Sequence, residues 1–239
     1  MADFSKLVSN GKLENEEYPY LQNIVKISTN EAKIQIKKLE DLEIELEDQI
    51  KRIDNETGDA KVEAIKDYNI TLKQVRVLLT RINREIAIAD SSYFGKIVID
   101  RKANKLLPKK IVTSYIGKFA YFDSKTKGAI IIDWRAPIAN LYYTNSGPTK
   151  DVSYTPPMGE IKCDLLIKRQ FEINFGRIQH IYDAVSGNVS ADEFLLAQLK
   201  KRLGKKLTDI VATIQHQQNS IIRDNINKMI ILQGVAGSG

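Results

Sequence analysis

From residue 16 to residue 90 the apolar positions recur at gaps of three and four. In the later half of that stretch the seam reads Tyr68, Leu72, Val75, Leu79, Ile82, Ile86 and Ala89. That is the spacing of a helix that buries one stripe against another. The earlier half offers Val25, Ser28, Ala32, Gln35, Leu39, Leu42, Leu46, Gln49 and Ile53, a weaker seam because small and polar residues interrupt it. Between the two lies "IDNETGDA", residues 53–60. Asp, Asn, Thr and Gly cluster there, and Gly58 can take the positive φ that ends a helix. Two heptad segments joined by a short turn predict an antiparallel helical hairpin. Pro19 falls near the start of the first helix, where proline is tolerated, and no proline follows until Pro108. Roughly 35 residues per arm at 1.5 Å each give an arm of about 50 Å, long enough to protrude.

After residue 90 the period changes. "YFGKIVID" (93–100), "KKIVTSYIGKFAYFD" (109–123) and "GAIIIDWRAPIANLYY" (128–143) are rich in β-branched and aromatic residues and punctuated by Gly117 and Gly128. They read as strands of a compact, largely antiparallel sheet. Residues 144–160 form a proline- and glycine-rich connection. Residues 161–185 resume as two or three strands. Ser190 then caps a helix beginning "ADEFLLAQLKKRL", with acids in its first turn and bases in its last. A further helix starts near Gln215, and Met229–Leu232 reads as a short strand before the glycine-rich ending. The expected fold is α+β: a long antiparallel helical hairpin (1–90), a mainly antiparallel β-rich domain (91–188), and the start of a P-loop α/β domain (189–239).

Charge sharpens this picture. Residues 40–63 hold ten acids and three bases, a local charge of −7 in a chain whose net charge is +6. The rest of the chain is strongly basic, so an acidic limb is expected on a basic body. Such asymmetry suits a nucleic acid or a large charged assembly as partner. Asp54, Glu56 and Asp59 fall at the turn and are the candidate contact residues of the hairpin tip. The lone Cys163 cannot form an internal disulfide and is expected buried in a reducing cytoplasm. No Cys/His cluster suggests a metal, and no apolar run of about 18 residues suggests a membrane span.

Three motifs carry chemistry. The ending "MIILQGVAGSG" places an apolar strand before Gly234, Val235, Ala236, Gly237, Ser238 and Gly239, the first part of a phosphate loop G-x-x-x-x-G-K-[ST] whose backbone N–H groups cradle an anion. Upstream lies the glutamine-rich stretch "ATIQHQQNSIIRD" (212–224), whose amides each offer both a donor and an acceptor. The segment "IDWRAPIANLYY" (132–143) contains the only tryptophan. Trp134 reads as a core anchor, Asp133 and Arg135 as a pair or a backbone brace at a strand end, and Pro137 as the strand's stop. This segment is expected to determine the fold, with no catalytic role.

In this order, a hairpin, then "YFGK…SYIGKFAYFD…IDWRAPIANLYY", then "ATIQHQQNSII", then the glycine loop, the chain resembles the N-terminal part of the HelD-type, UvrD-like superfamily 1 helicase-like proteins of bacteria. The resemblance implies an association with bacterial RNA polymerase, a hairpin that enters the enzyme's secondary channel, and ATP turnover linked to releasing polymerase from nucleic acid. It implies ATP and Mg²⁺ as cofactors of the full-length protein, with Gln218 resembling the Q-motif glutamine. The Lys and Thr that complete the loop are not in this sequence, so the chain by itself is expected to bind no nucleotide tightly and to be inactive as an ATPase. The rival reading is a DNA-unwinding or repair helicase of the same superfamily, with the basic stretches Arg101–Lys110 and Lys200–Lys206 on phosphates. A purely structural coiled-coil ATPase arm is disfavoured, since its phosphate loop would precede the coil.

Overall fold

The computed structural model describes residues 10–103, 107–123 and 126–184. Two long helices, α1 (Asn10–Asn55) and α2 (Gly58–Asp90), come first. Seven strands follow: β1 (Gly95–Arg101), β2 (Lys110–Gly117), β3 (Tyr121–Phe122), β4 (Ala129–Asp133), β5 (Thr149–Tyr154), β6 (Ile161–Asn174) and β7 (Arg177–Asp183). Between β4 and β5 lie a 3-10 turn at Pro137–Ala139 and a short helix, α3 (Asn140–Thr144). The chain forms two compact units. One holds the residues up to Tyr93 together with Phe171–Ile181, and the other holds Phe94–Gln170 and Tyr182 onward.

In the first unit α1 and α2 run antiparallel. Gln49 bonds Thr71 and Arg52 bonds Asp67, so partner numbers fall along one helix as they rise along the other. The α1 seam is buried or half-buried at Ser28, Ala32, Gln35, Leu39, Leu42, Leu46, Gln49 and Ile53. Ile24, adjacent to Val25, is the fully buried position there. The gaps Ile24–Ser28–Ala32 are two successive fours, a local stutter in the heptad. Pro19 lies inside α1, because the helix begins at Asn10 rather than near residue 16. Its missing N–H forgoes one helical hydrogen bond.

The α2 seam differs from the sequence expectation at alternate positions. Tyr68, Val75, Ile82 and Ala89 face inward or partly so, but between them Thr71 and Leu78 are buried. Leu79 and Ile86 are 42% and 52% exposed. The sequence supplies neighbouring candidates at Thr71/Leu72 and Leu78/Leu79, so apolarity alone selects the wrong member of each pair. The partner helix makes the choice. Thr71 Oγ1 accepts from Gln49 Nε2 at 3.0 Å and donates to Glu45 Oε1 at 3.3 Å, while Gln49 Nε2 also donates to Glu45 at 3.1 Å. This polar layer satisfies a threonine that is 3% exposed. A buried polar residue without a partner would cost about 1–3 kcal/mol.

The same unit closes on an aromatic cluster. Tyr93 is fully buried, meets Phe171 edge-on at 5.0 Å and lies 6.2 Å from Tyr20. Leu21, Ile24, Ile88, Ile173 and Ile181 are buried in the same unit.

The sheet is mixed, in the order β3-β4-β2-β1-β6-β5 with β7 also on β6. It is antiparallel except where β2 and β4 run parallel at Ile116↔Ile132 and Gly117↔Asp133. That exception arises because β3 hairpins back before β4 inserts beside β2. Two further sequence expectations need correction. The run 128–143 is a strand only to Asp133. Beyond it Pro137 sits at the first position of a helical turn, where its fixed φ suits it, and α3 buries Leu141, Tyr142 and Tyr143. The 144–160 connection contains β5, an edge strand whose alternation is too polar to read as one.

The second unit has its core in Phe94, Ile97, Ile99, Ile116, Trp134, Ala139, Leu141, Tyr142, Tyr143, Cys163 and Leu165. Full burial of each large aliphatic side chain contributes about 1.5–3 kcal/mol. Gly95 matters for packing, since a Cβ there would lie 2.8 Å from the Tyr142 ring. Arg169, 6% exposed, forms a two-pronged pair with Asp183 at 2.5 and 3.0 Å. Beside it on β6, Lys168 donates to the Asn145 carbonyl at 2.7 Å and lies 4.7 Å from the Tyr142 ring centre. Burial pushes its amine down to about 8.

Two outcomes follow from these placements. Leu78→Ala should cost about 2–5 kcal/mol and Leu79→Ala no more than about 0.5 kcal/mol, read by denaturant unfolding. Equal losses would restore the other seam. Lys168 has a folded value below its unfolded one, so its buried charge destabilises fully below about pH 8. That penalty is relieved as pH rises from there toward the unfolded value of about 10.4. Lys168→Met should therefore remove a rise in stability between about pH 8 and 10, measured as urea midpoint against pH.

Candidate functional site

Only Glu56 and Thr57 separate the two long helices, and Gly58 makes the reversal at φ +61°. The three tip candidates are not equivalent. Asp54, in the last turn of α1, and Asp59, in the first turn of α2, are exposed and enter no ion pair or hydrogen bond among the described residues. Glu56 is half-buried and clamped. Its N–H donates to the Arg52 carbonyl at 3.0 Å, and its carboxylate accepts from Arg52 Nε at 2.9 Å. Arg52 then reaches Asp67 on α2 at 3.1 Å. The turn thus presents two open carboxylates above a bridged Glu56–Arg52–Asp67 group. Arg52 was absent from the sequence candidates, although its spacing of four from Glu56 is the signal for such a pair. Among the described residues no group of three acidic, His or Cys side chains is placed to hold a metal.

The Asp133–Pro137 corner is braced at every step. Trp134 N–H donates to the Gly117 carbonyl at 3.0 Å and Ala136 N–H to the Asp133 carbonyl at 2.9 Å. Asp133 Oδ1 accepts the Arg135 N–H at 2.8 Å, and its other oxygen lies 3.5 Å from the Arg135 guanidinium. Trp134 is 8% exposed and meets Tyr143 edge-on at 6.5 Å, with the Arg135 guanidinium 4.7 Å from its ring centre. Asp133 commits its carboxylate to the turn, so the corner braces the backbone. Cys163 is fully buried and burial pushes its thiol up to about 11, which leaves little thiolate for chemistry.

The basic stretch Arg101–Lys110 is largely engaged within its own unit where it is described. Arg101 donates to the Pro108 carbonyl, Lys102 pairs with Asp151 and Asp164, and Lys109 pairs with Asp100 at 3.2 Å. Gln218, the residues Gly234 to Gly239 and the basic run Lys200–Lys206 lie outside the described residues. None of the described helices is long and apolar enough to cross a membrane.

The described residues thus form a long helical hairpin followed by a mixed sheet with a braced Trp corner. The N-terminal domain family of DNA helicase IV HelD matches residues 32–199, more than half of the chain, and the chain belongs to that family. A search of curated proteins gives no match.

Truncating the corner tests its role. Trp134→Ala should cost about 3–5 kcal/mol, the range for large aromatic truncations in a core, while Asp133→Asn, which keeps the oxygen that accepts the Arg135 N–H, should cost no more than about 1 kcal/mol. A Trp134→Ala protein that melts like the parent would place the ring outside the core.

Proposed function

We propose that this chain is the polymerase-docking region of a HelD-like, ATP-dependent helicase-like protein, and that the α1–α2 hairpin is its docking element on bacterial RNA polymerase. The observation that carries the reading is the hairpin turn, where two carboxylates stand open at a two-residue link between helices of 46 and 33 residues. Membership of the HelD N-terminal family supports it. A basic, metal-bearing channel would draw in such a turn by long-range attraction. In the full-length protein, Gln218 and the loop Gly234–Gly239 would hold ATP with Mg²⁺, and turnover would drive release of polymerase from nucleic acid. A cytoplasmic setting goes with that role.

The second reading is a DNA helicase contact, favoured by the family's description as a DNA helicase. Phosphates would there have to compete with the internal pairs of Arg101, Lys102 and Lys109, which counts against that stretch as the contact.

Deleting residues 40–64 and closing the gap with a short Gly linker should abolish binding to core polymerase in a pull-down while the sheet unit still unfolds cooperatively. Undiminished binding would remove the hairpin as the docking element. Asp54→Asn with Asp59→Asn should slow association several-fold at low salt, where the Debye length is about 30 Å at 0.01 M, and much less at 0.15 M. Glu56→Gln should do less, because Arg52 already offsets that charge.

A further inference from the structure

The turn between β6 and β7 combines an unusual backbone with an exposed aromatic ring. Phe175 and Gly176 both adopt positive φ, 54° and 66°, the pair that a two-residue type I′ hairpin turn needs. Asn, Asp or Gly usually fills the first of these positions, because the Cβ of an L residue crowds the backbone at positive φ and a bulky side chain makes this worse. Here it is a phenylalanine, and it is 84% exposed. Two unfavourable choices coincide at one residue: a left-handed backbone under a large ring, and an apolar ring facing water.

The turn is also held rigidly. The Asp90 carboxylate accepts the Phe175 N–H at 2.8 Å, and the Asp90 carbonyl accepts the Gly176 N–H at 3.0 Å. Gly176 permits this approach, since a Cβ there would lie 3.0 Å from the Ala89 carbonyl oxygen and 3.3 Å from Val25. The ring is thus presented from a backbone fixed to the end of α2, in the manner of a preorganised binding anchor. Arg177 stands next to it, exposed, and joins no ion pair among the described residues. Exposed Gln179 follows at the alternate position of β7.

We propose that Phe175 is a protein-binding anchor that inserts into an apolar pocket of the partner, with Arg177 meeting carboxylates on that pocket's rim. Aromatic and arginine side chains dominate the energetics of protein interfaces. A single-stranded nucleic acid, whose bases could stack on the ring, suits the surroundings less well. Stacking sites line a positively charged groove, whereas here Asp90 and Glu172 are acidic members of the same unit and Arg177 is the turn's own cation. The identity of the partner rests on the polymerase reading above; the anchor itself is independent of the hairpin tip.

The test uses the full 239-residue chain and core bacterial RNA polymerase as the probe. Phe175→Asn and Phe175→Gly both suit the left-handed backbone and should melt at or above the parent's temperature. Each should weaken polymerase binding by at least about tenfold, as loss of a central anchor does, while Arg177→Glu should weaken it most at low salt. Unchanged affinity with both variants would overturn the anchor and leave the polymerase reading standing. A parent chain that does not bind polymerase would overturn both. A lowered melting temperature with both variants would show the ring to be structural and would also overturn the proposal, as would loss of binding to a mixed-sequence single-stranded oligonucleotide with polymerase affinity intact.

Discussion

Two helices joined by a two-residue link bury a shared stripe against each other, and here that stripe is not apolar throughout. Ser28, Gln35, Gln49 and Thr71 sit in the seam. Each must find a partner inside it. Ser28 bonds back to the Ile24 carbonyl, Gln35 to Glu31, and Gln49 and Thr71 to each other and to Glu45. The first two bonds stay within α1, whereas a one-residue slip between the helices would break the Gln49–Thr71–Glu45 layer, so that layer holds a register that hydrophobic burial alone leaves loose. The register in turn sets where Arg52 meets Asp67 and which carboxylates remain open at the turn.

The hairpin is tied at its turn by the Glu56–Arg52–Asp67 group and gathered at its other end. The aromatic trio Tyr20, Tyr93 and Phe171 and the capping of the β6–β7 turn by Asp90 do the gathering. Asp90 stands out because one residue, the last of α2, satisfies two turn N–H groups. The same unit thus carries open charge at its turn and an exposed ring at its anchored end.

In the sheet unit the Asp133–Pro137 corner converts a strand into a helical turn within four residues. It does so by committing the Asp133 carboxylate to the backbone N–H and guanidinium of Arg135 and by burying the adjacent tryptophan. The neighbouring buried charges are handled differently. Arg169 keeps its charge through a two-pronged carboxylate partner, whereas Lys168 has a carbonyl and an aromatic face and is pushed toward neutrality. A buried cation survives at full charge only when a counter-charge offsets its desolvation.

The sequence by itself determined the α+β class, the position of the helical hairpin and its turn, and the change from a period near 3.5 to strand composition after residue 90. These are local properties: spacing of apolar residues, a Gly in a polar cluster, β-branched runs. It also placed most of the α1 seam, where small and polar residues left one consistent stripe. Tertiary structure decided the rest. Leu78 rather than Leu79 faces inward because α1 offers Thr71 its hydrogen bonds. β5 is a strand because β6 supplies its ladder, and 137–144 is helical because the Trp134 corner turns the chain over the core. Glu56 was indistinguishable by composition from Asp54 and Asp59, and only the fold brings Arg52 and Asp67 together around it. Phe175 gave no signal at all. An aromatic in a β-rich segment reads as core, and only the turn's handedness, fixed by Asp90 from 85 residues away, turns its ring to solvent.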